Sequence, residues 1–72
     1  MSADSMVVLI KLENQTYLKD ARNVRTSDGI LRFIIDNVAY YFKWSLACLT
    51  NITQGSILDT TKLEFIEACP IT

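Results

Sequence analysis

Two runs of apolar and aromatic residues lie near the middle of the chain, and a short polar step separates them. The runs are residues 30–35 and 38–44, with Asp36 and Asn37 between them. Both are rich in β-branched and aromatic side chains, which fit the pleated surface of a strand. Asparagine adopts the left-handed backbone region more readily than most residues, so Asp-Asn can form a two-residue turn. The pattern predicts a β-hairpin over residues 30–44.

Pairing across this turn sorts the side chains of the hairpin into two faces. Ile35 pairs with Val38 and Phe33 pairs with Tyr40, and directly paired residues lie on the same side of a sheet. One face is then apolar or aromatic throughout, and we predict that it is core. Its members are Leu31, Phe33, Ile35, Val38, Tyr40 and Phe42, with Trp44 beyond. The other face is mixed, and its members are Ile30, Arg32, Ile34, Ala39, Tyr41 and Lys43.

Two more strands are predicted before the hairpin. Residues 6–13 begin apolar on both faces and end in alternation, which suits a strand with both faces covered. A turn is expected at Asn14-Gln15. Residues 16–25 form a weaker strand, with a bend or bulge expected around Asp20, Ala21 and Asn23, which are poor strand formers.

Three shorter signals complete the pattern. Residues 27–29 (Ser-Asp-Gly) predict a turn, and residues 45–50 predict a short helical turn capped by Ser45. Residues 60–68 fit two structures. Their alternation favours a strand, which we expect to pair with the first strand and close the sheet. The stretch Thr61-Lys62-Leu63-Glu64 also matches a capping box, which would begin a helix.

These elements predict one mainly β domain over residues 1–72, with residues 1–5 as a disordered tail. We expect a small antiparallel sheet or half-open barrel of four to five strands; the alternative is an α+β fold with a C-terminal helix over residues 60–68. The order of strands and turns resembles the architecture of SH3-like and Sm-like barrels. The chain departs from the Sm-like pattern at residues 19–21, where Lys-Asp-Ala replaces bending glycines, and it lacks the short nucleotide-binding motifs.

Composition points toward association rather than toward a polyanion partner. Half of the 72 residues are hydrophobic, and the net charge is −1. A domain this small has a high ratio of surface to volume, so this many apolar residues predicts an exposed apolar patch and a partner. Val7, Leu9, Ile30 and Ile34 fall on faces opposite the core sets. No export signal precedes the domain and no run is long enough to span a membrane, so we expect a cytoplasmic protein with no membrane partner.

The residue types that carry catalysis and metal binding are sparse. The chain has no histidine and two cysteines, Cys48 and Cys69. We expect both thiols to be free and buried; a Cys48–Cys69 disulfide is the alternative. Glu64 and Glu67 would share a face only on a helix. We therefore expect no enzymatic activity, no metal and no cofactor.

One arrangement on the mixed hairpin face suggests a ligand. Arg32 lies opposite Tyr41 with Lys43 nearby, and Arg22 and Arg25 could extend the surface. Single-stranded nucleic acid is bound by such sets of aromatic rings and cations. The favoured interpretation is an ordinary solvated face with Arg32 over the Tyr41 ring. The sequence thus predicts a non-enzymatic, self-associating module for protein–protein contacts, with nucleic-acid binding by a small barrel as the alternative.

Overall fold

The apolar and aromatic runs of the sequence form the strands of a single open sheet. The computed structural model describes residues 2–45 and 57–71, without the side chains of residues 2–4. The strands are β1 (Ser2–Leu12), β2 (Gln15–Ser27), β3 (Ile30–Ile35), β4 (Val38–Lys43), β5 (Leu58–Asp59) and β6 (Phe65–Pro70). Their spatial order is β5-β1-β2-β3-β4-β6. Neighbours are antiparallel except β1 and β5, which are parallel. The prediction of a mainly β fold is confirmed.

Two-residue turns join the first four strands, and every residue in them has a positive φ. The residues are Glu13, Asn14, Asp28, Gly29, Asp36 and Asn37, with φ values from 50° to 77°. Two consecutive positive φ values are the signature of the type I′ turn, whose twist matches that of the flanking strands. The predicted turns at 28–29 and 36–37 are confirmed. The first turn lies one residue earlier than expected, because Gln15 pairs with Leu12 and begins β2.

The predicted register of the central hairpin is confirmed pair by pair. Ile35 is opposite Val38, Phe33 is opposite Tyr40, and Leu31 is opposite Phe42. Phe33 is fully buried, and its ring stacks on those of Tyr40 and Phe42 at centroid distances of 5.8 and 5.7 Å. The side of the sheet that carries these rings is the inner face, and the opposite side is the outer face.

A bulge in β2 allows that strand to contribute twice to the inner face. Alternation along a regular strand would place Ala21 and Val24 on opposite faces, yet both are fully buried in the same core cluster. The register with β3 shifts between Arg22 and Arg25, and Asn23 has a φ of 52°. One extra residue therefore resets the alternation. The irregularity expected in this part of the strand is confirmed at Asn23.

The core is built from five of the six strands. It consists of Val8, Ile10, Ala21, Val24, Leu31, Phe33, Ile35, Phe42 and Leu58. Beyond Leu58 the chain makes a single 3-10 turn over Thr60–Lys62, which Asp59 caps by accepting from the Thr61 N–H (3.0 Å). The Thr60 hydroxyl is buried and donates to the Leu9 carbonyl (2.8 Å), which ties this turn to β1.

Three expectations for the ends of the chain need correction. The alternative of a C-terminal helix over residues 60–68 is wrong, because helical structure stops at Lys62 and a strand, the favoured interpretation, follows as β6. β6 pairs with β4 rather than with β1, whose own edge is taken by β5, so β6 does not close the sheet. Residues 2–5 belong to β1, where a tail was expected. The helical turn expected at 45–50 falls mostly outside the described residues.

Substitution of Gly29 tests whether the positive φ at this turn contributes to the stability of the fold. Its φ is +77°, and an added Cβ would meet no atom within 4 Å. Gly29→Ala is therefore expected to lower the free energy of unfolding by about 1–2 kcal/mol through backbone strain alone. Gly29→Asn should recover most of the loss, because asparagine tolerates this region. Urea unfolding of the three proteins checks this, and equal stability of the Ala and Asn variants would contradict it.

Phe33 tests the placement of the core. Phe33→Ala leaves a cavity between the Tyr40 and Phe42 rings, so we expect a loss of about 3–5 kcal/mol of unfolding free energy. Leu18→Ala is the control, because Leu18 is 59% exposed and its loss should cost less than about 0.5 kcal/mol. Thermal unfolding followed by circular dichroism distinguishes the two. Equal losses in both variants would contradict the assigned faces.

Candidate functional site

A row of charged and aromatic residues crosses four strands on the outer face. Arg25 of β2 is opposite Arg32 of β3, Arg32 is opposite Tyr41 of β4, and Tyr41 is opposite Glu67 of β6. We call these four residues the outer row. Two cations lie at one end of the row, an aromatic ring lies in the middle and a carboxylate lies at the other end.

Arg32 and Tyr41 make the contact at the centre of the outer row. The Arg32 Nε–H donates to the Tyr41 hydroxyl oxygen over 3.1 Å, and the guanidinium carbon lies 5.8 Å from the ring centroid. This is the local contact that the sequence analysis favoured. It holds the ring in place and leaves the two terminal nitrogens of Arg32 for other acceptors. Within residues 2–45 and 57–71, neither Arg25 nor Arg32 forms a salt bridge.

A groove of 540 Å³ runs along the outer row. All four residues of the row line it, together with Asp28 at the adjacent turn. Ile30 and Ile66 supply apolar walls. The groove therefore combines two positive and two negative side chains with apolar and aromatic surface, and its formal charge is balanced.

The groove brings together three of the five residues predicted as an interaction surface. Arg25, Arg32 and Tyr41 line it, whereas Lys43 lines a separate cavity beside Trp44. Arg22 is opposite Ile34 and does not line the groove. Sequence reasoning did not single out Ile66 and Glu67 as partners of this surface. Nothing local in the sequence signals that β6 lies beside β4.

Part of the predicted apolar surplus on the outer face is buried. Ile34 and Ala39 are paired on this face and are both buried, although neither belongs to the inner core cluster. Leu9 and Ile30 are half-buried, while Val7 and Leu18 are exposed. The surplus that remains on the face is thus concentrated on the β1–β2 hairpin.

β6 is an exposed edge of the sheet. Its residues are all exposed, and Phe65, Ile66 and Ile71 are among the most exposed large apolar side chains of the described residues. The Ile71 N–H donates to the Asn37 carbonyl (2.8 Å). Backbone groups alternate in direction along an antiparallel pair, so Cys69 and Glu67 also face β4. Ala68 and Pro70 therefore direct their backbone groups away from β4, to the side where the described residues place no strand.

Cys69 is exposed rather than buried, which corrects the prediction for this thiol. It is a free cysteine, and its Sγ–H donates to Glu67 Oε2 over 3.2 Å. This hydrogen bond, followed by desolvation and by repulsion from the carboxylate charge, raises the pKa of the Cys69 thiol. Cys48 lies outside the described residues.

Neither a metal centre nor a membrane-spanning helix is found in the described part of the chain. Over residues 2–45 and 57–71, no three His, Cys, Asp or Glu side chains are grouped to hold a metal ion. No helix in these ranges has the length and apolarity needed to cross a membrane.

Comparisons with known proteins add no assignment. No family model, curated protein or solved structure matches this chain. The groove and the exposed edge of β6 are the two surface features that bear on function.

Glu67 is expected to control the reactivity of Cys69. Glu67→Gln weakens the hydrogen bond that the Cys69 thiol donates, because an amide oxygen is a poorer acceptor than a carboxylate, and it also removes the negative charge. The pKa of the thiol therefore falls toward its ordinary value, and more thiolate forms near pH 8. Alkylation by iodoacetamide should then be faster than in the parent protein, with both in a Cys48→Ser background. Glu64→Gln is the control and should leave the rate unchanged. A rate that does not respond to Glu67→Gln would contradict the contact.

Proposed function

We propose that this chain is a small non-enzymatic interaction module that acts through protein–protein contacts and associates with a second copy of itself. The observation that carries the proposal is the free edge of β6. Six consecutive residues form that edge, and none of them is buried. Within residues 2–45 and 57–71, β4 is the one strand that pairs with them. The proposal includes a cytoplasmic location, which suits the free, exposed Cys69 thiol.

An exposed edge strand is a template for another strand. Its unpaired N–H and C=O groups can continue the hydrogen-bond ladder, and apolar side chains along it add burial. Charged side chains commonly block such edges, with lysine the most frequent, but β6 contains no lysine or arginine. Pro70 has no N–H to offer, so the added ladder ends there. The short ladder predicts a dimer that depends on protein concentration.

A second copy fits this edge because a two-fold axis can pass through its centre. Antiparallel pairing centred on Ala68 joins the N–H and C=O of that residue to their equivalents in the partner, which makes a self-complementary interface. Glu67 is the one charged residue of β6, and this register keeps its two copies out of direct opposition. A net charge near zero adds little repulsion between copies.

Ala68→Lys tests the edge. A lysine at the centre of the strand leaves the bonds between β6 and β4 intact but places two like charges at the two-fold axis. Light scattering behind a sizing column, over a range of loading concentrations, should show the parent approaching twice 8.2 kDa and the variant remaining at 8.2 kDa.

Two controls isolate the cause. Ala68→Val is uncharged and favours strands, so it should still dimerise. Leu18→Lys places the same charge on the exposed apolar surface of the β1–β2 hairpin, away from β6, and this variant should also dimerise. A parent protein that stays monomeric at every concentration would overturn the proposal, as would a dimer that Leu18→Lys dissociates and Ala68→Lys does not.

The alternative of binding a long single-stranded nucleic acid has less support from the geometry. Only three of the five expected residues share the groove, and Asp28 and Glu67 line it as well. A polyanion needs a continuous track of cations, because its affinity comes from neutralising successive phosphates. The groove lacks such a track, so it suits a ligand with one anionic group better.

A further inference from the structure

We propose that the outer-face groove binds a single guanine nucleotide, with its phosphate on Arg25 and Arg32, its base against Tyr41 and its base edge on Glu67. This site is on a face of the sheet, whereas the proposed dimer contact is on an edge. Each of the two proposals can therefore be tested and rejected without affecting the other.

The phosphate end of the site is the pair of arginines. Like charges directly opposite each other on neighbouring strands repel, and Arg25 and Arg32 are such a pair. No salt bridge offsets this repulsion among the described residues. An anion between the two guanidinium groups would relieve it, and planar guanidinium groups bind phosphate through paired N–H donors. Tyr41 accepts from Nε of Arg32, and no other described residue accepts from its two terminal nitrogens, which can therefore bind the phosphate.

The middle of the groove is a surface for a flat ring. Tyr41 is half-buried, and its hydrogen bond with Arg32 restricts its movement. Ile30 and Ile66 flank it as apolar walls. Nucleic-acid bases stack on aromatic side chains regardless of their identity, so Tyr41 supplies affinity but no choice among bases.

Glu67 supplies the selectivity for guanine over the other bases. An ionised carboxylate only accepts hydrogen bonds, and it has two oxygens side by side. The base edge that complements it must offer two adjacent N–H donors. Guanine does so through N1–H and its 2-amino group, whereas adenine and cytosine present one amino group beside a ring acceptor. The thiol of Cys69 occupies one lone pair of Oε2 and leaves the others for the base.

The order of groups in the outer row matches the order of groups in the ligand. Cations, ring and carboxylate follow one another over three strand spacings, or about 14 Å. Phosphate, base and base edge follow one another in a nucleotide. Asp28 and Glu67 offset the two arginines, which favours a ligand with one phosphate over a polyphosphate chain.

Titration of the full chain with GMP, AMP and inorganic phosphate tests the proposal, with binding measured by calorimetry and by NMR shifts of the groove residues. We expect GMP to bind at least about tenfold more tightly than AMP, because AMP cannot satisfy the carboxylate. Inorganic phosphate should bind more weakly than either. Failure of all three to bind at millimolar concentration would overturn the proposal, as would equal binding of all three, which would indicate a simple anion site.

Three variants assign the roles. Glu67→Gln should remove the preference for GMP over AMP, because an amide presents a donor where guanine needs an acceptor. Arg25→Gln should weaken both nucleotides equally and keep the preference. Arg22→Gln changes a cation outside the groove and should alter neither. A GMP preference that survives Glu67→Gln would overturn the assignment. Repeating the titration on Ala68→Lys separates nucleotide binding from self-association.

Discussion

The structure depends on the conformation of three two-residue turns. Both residues of each turn have positive φ, which fixes where the ladder on either side begins. Side chains alternate with a period of two along a strand, so the position of a turn decides which residues face the core. The bulge in β2 modifies this scheme. Asn23 adds a residue to β2, and Ala21 and Val24 can then both enter the inner face, beside Phe33.

The two surfaces proposed to carry function follow from the same ladder. The turn at residues 28–29 places Arg25 opposite Arg32, and the turn at residues 36–37 places Arg32 opposite Tyr41. β6 then adds Glu67 to complete the outer row. Among the strands that the structure describes, none pairs with its second side. None of the residues that line the groove is buried, so the groove can vary in chemistry with little effect on packing. The sequence of β6 can vary less, because the Phe65 ring also makes a T-shaped contact with the Phe42 ring at a centroid distance of 5.6 Å.

Sequence reasoning succeeded where the determining interactions are local. The hairpin over residues 30–44 was predicted with its register because turn chemistry and alternation agree there. The pairing of Arg25 with Arg32 could also have been predicted, because it follows from counting residues outward from the turn at Asp28-Gly29. The position of β6 beside β4 could not be predicted from local sequence. It depends on the packing of Phe65 on Phe42, and these two residues are more than twenty positions apart. The exposure of Cys69 and the role of Glu67 were missed for that reason.

The central claim is that β6 bonds to β4 on one side and is open to a second copy on the other. Residue-resolved amide hydrogen exchange by NMR, at several protein concentrations, tests it most directly. Slow exchange is predicted for Glu67, Cys69 and Ile71 at every concentration, because their N–H groups face β4. Exchange at Ala68 is predicted to be fast in dilute solution and to slow as the concentration rises. Fast exchange at Glu67 and Cys69, or an Ala68 amide whose exchange does not depend on concentration, would contradict the account.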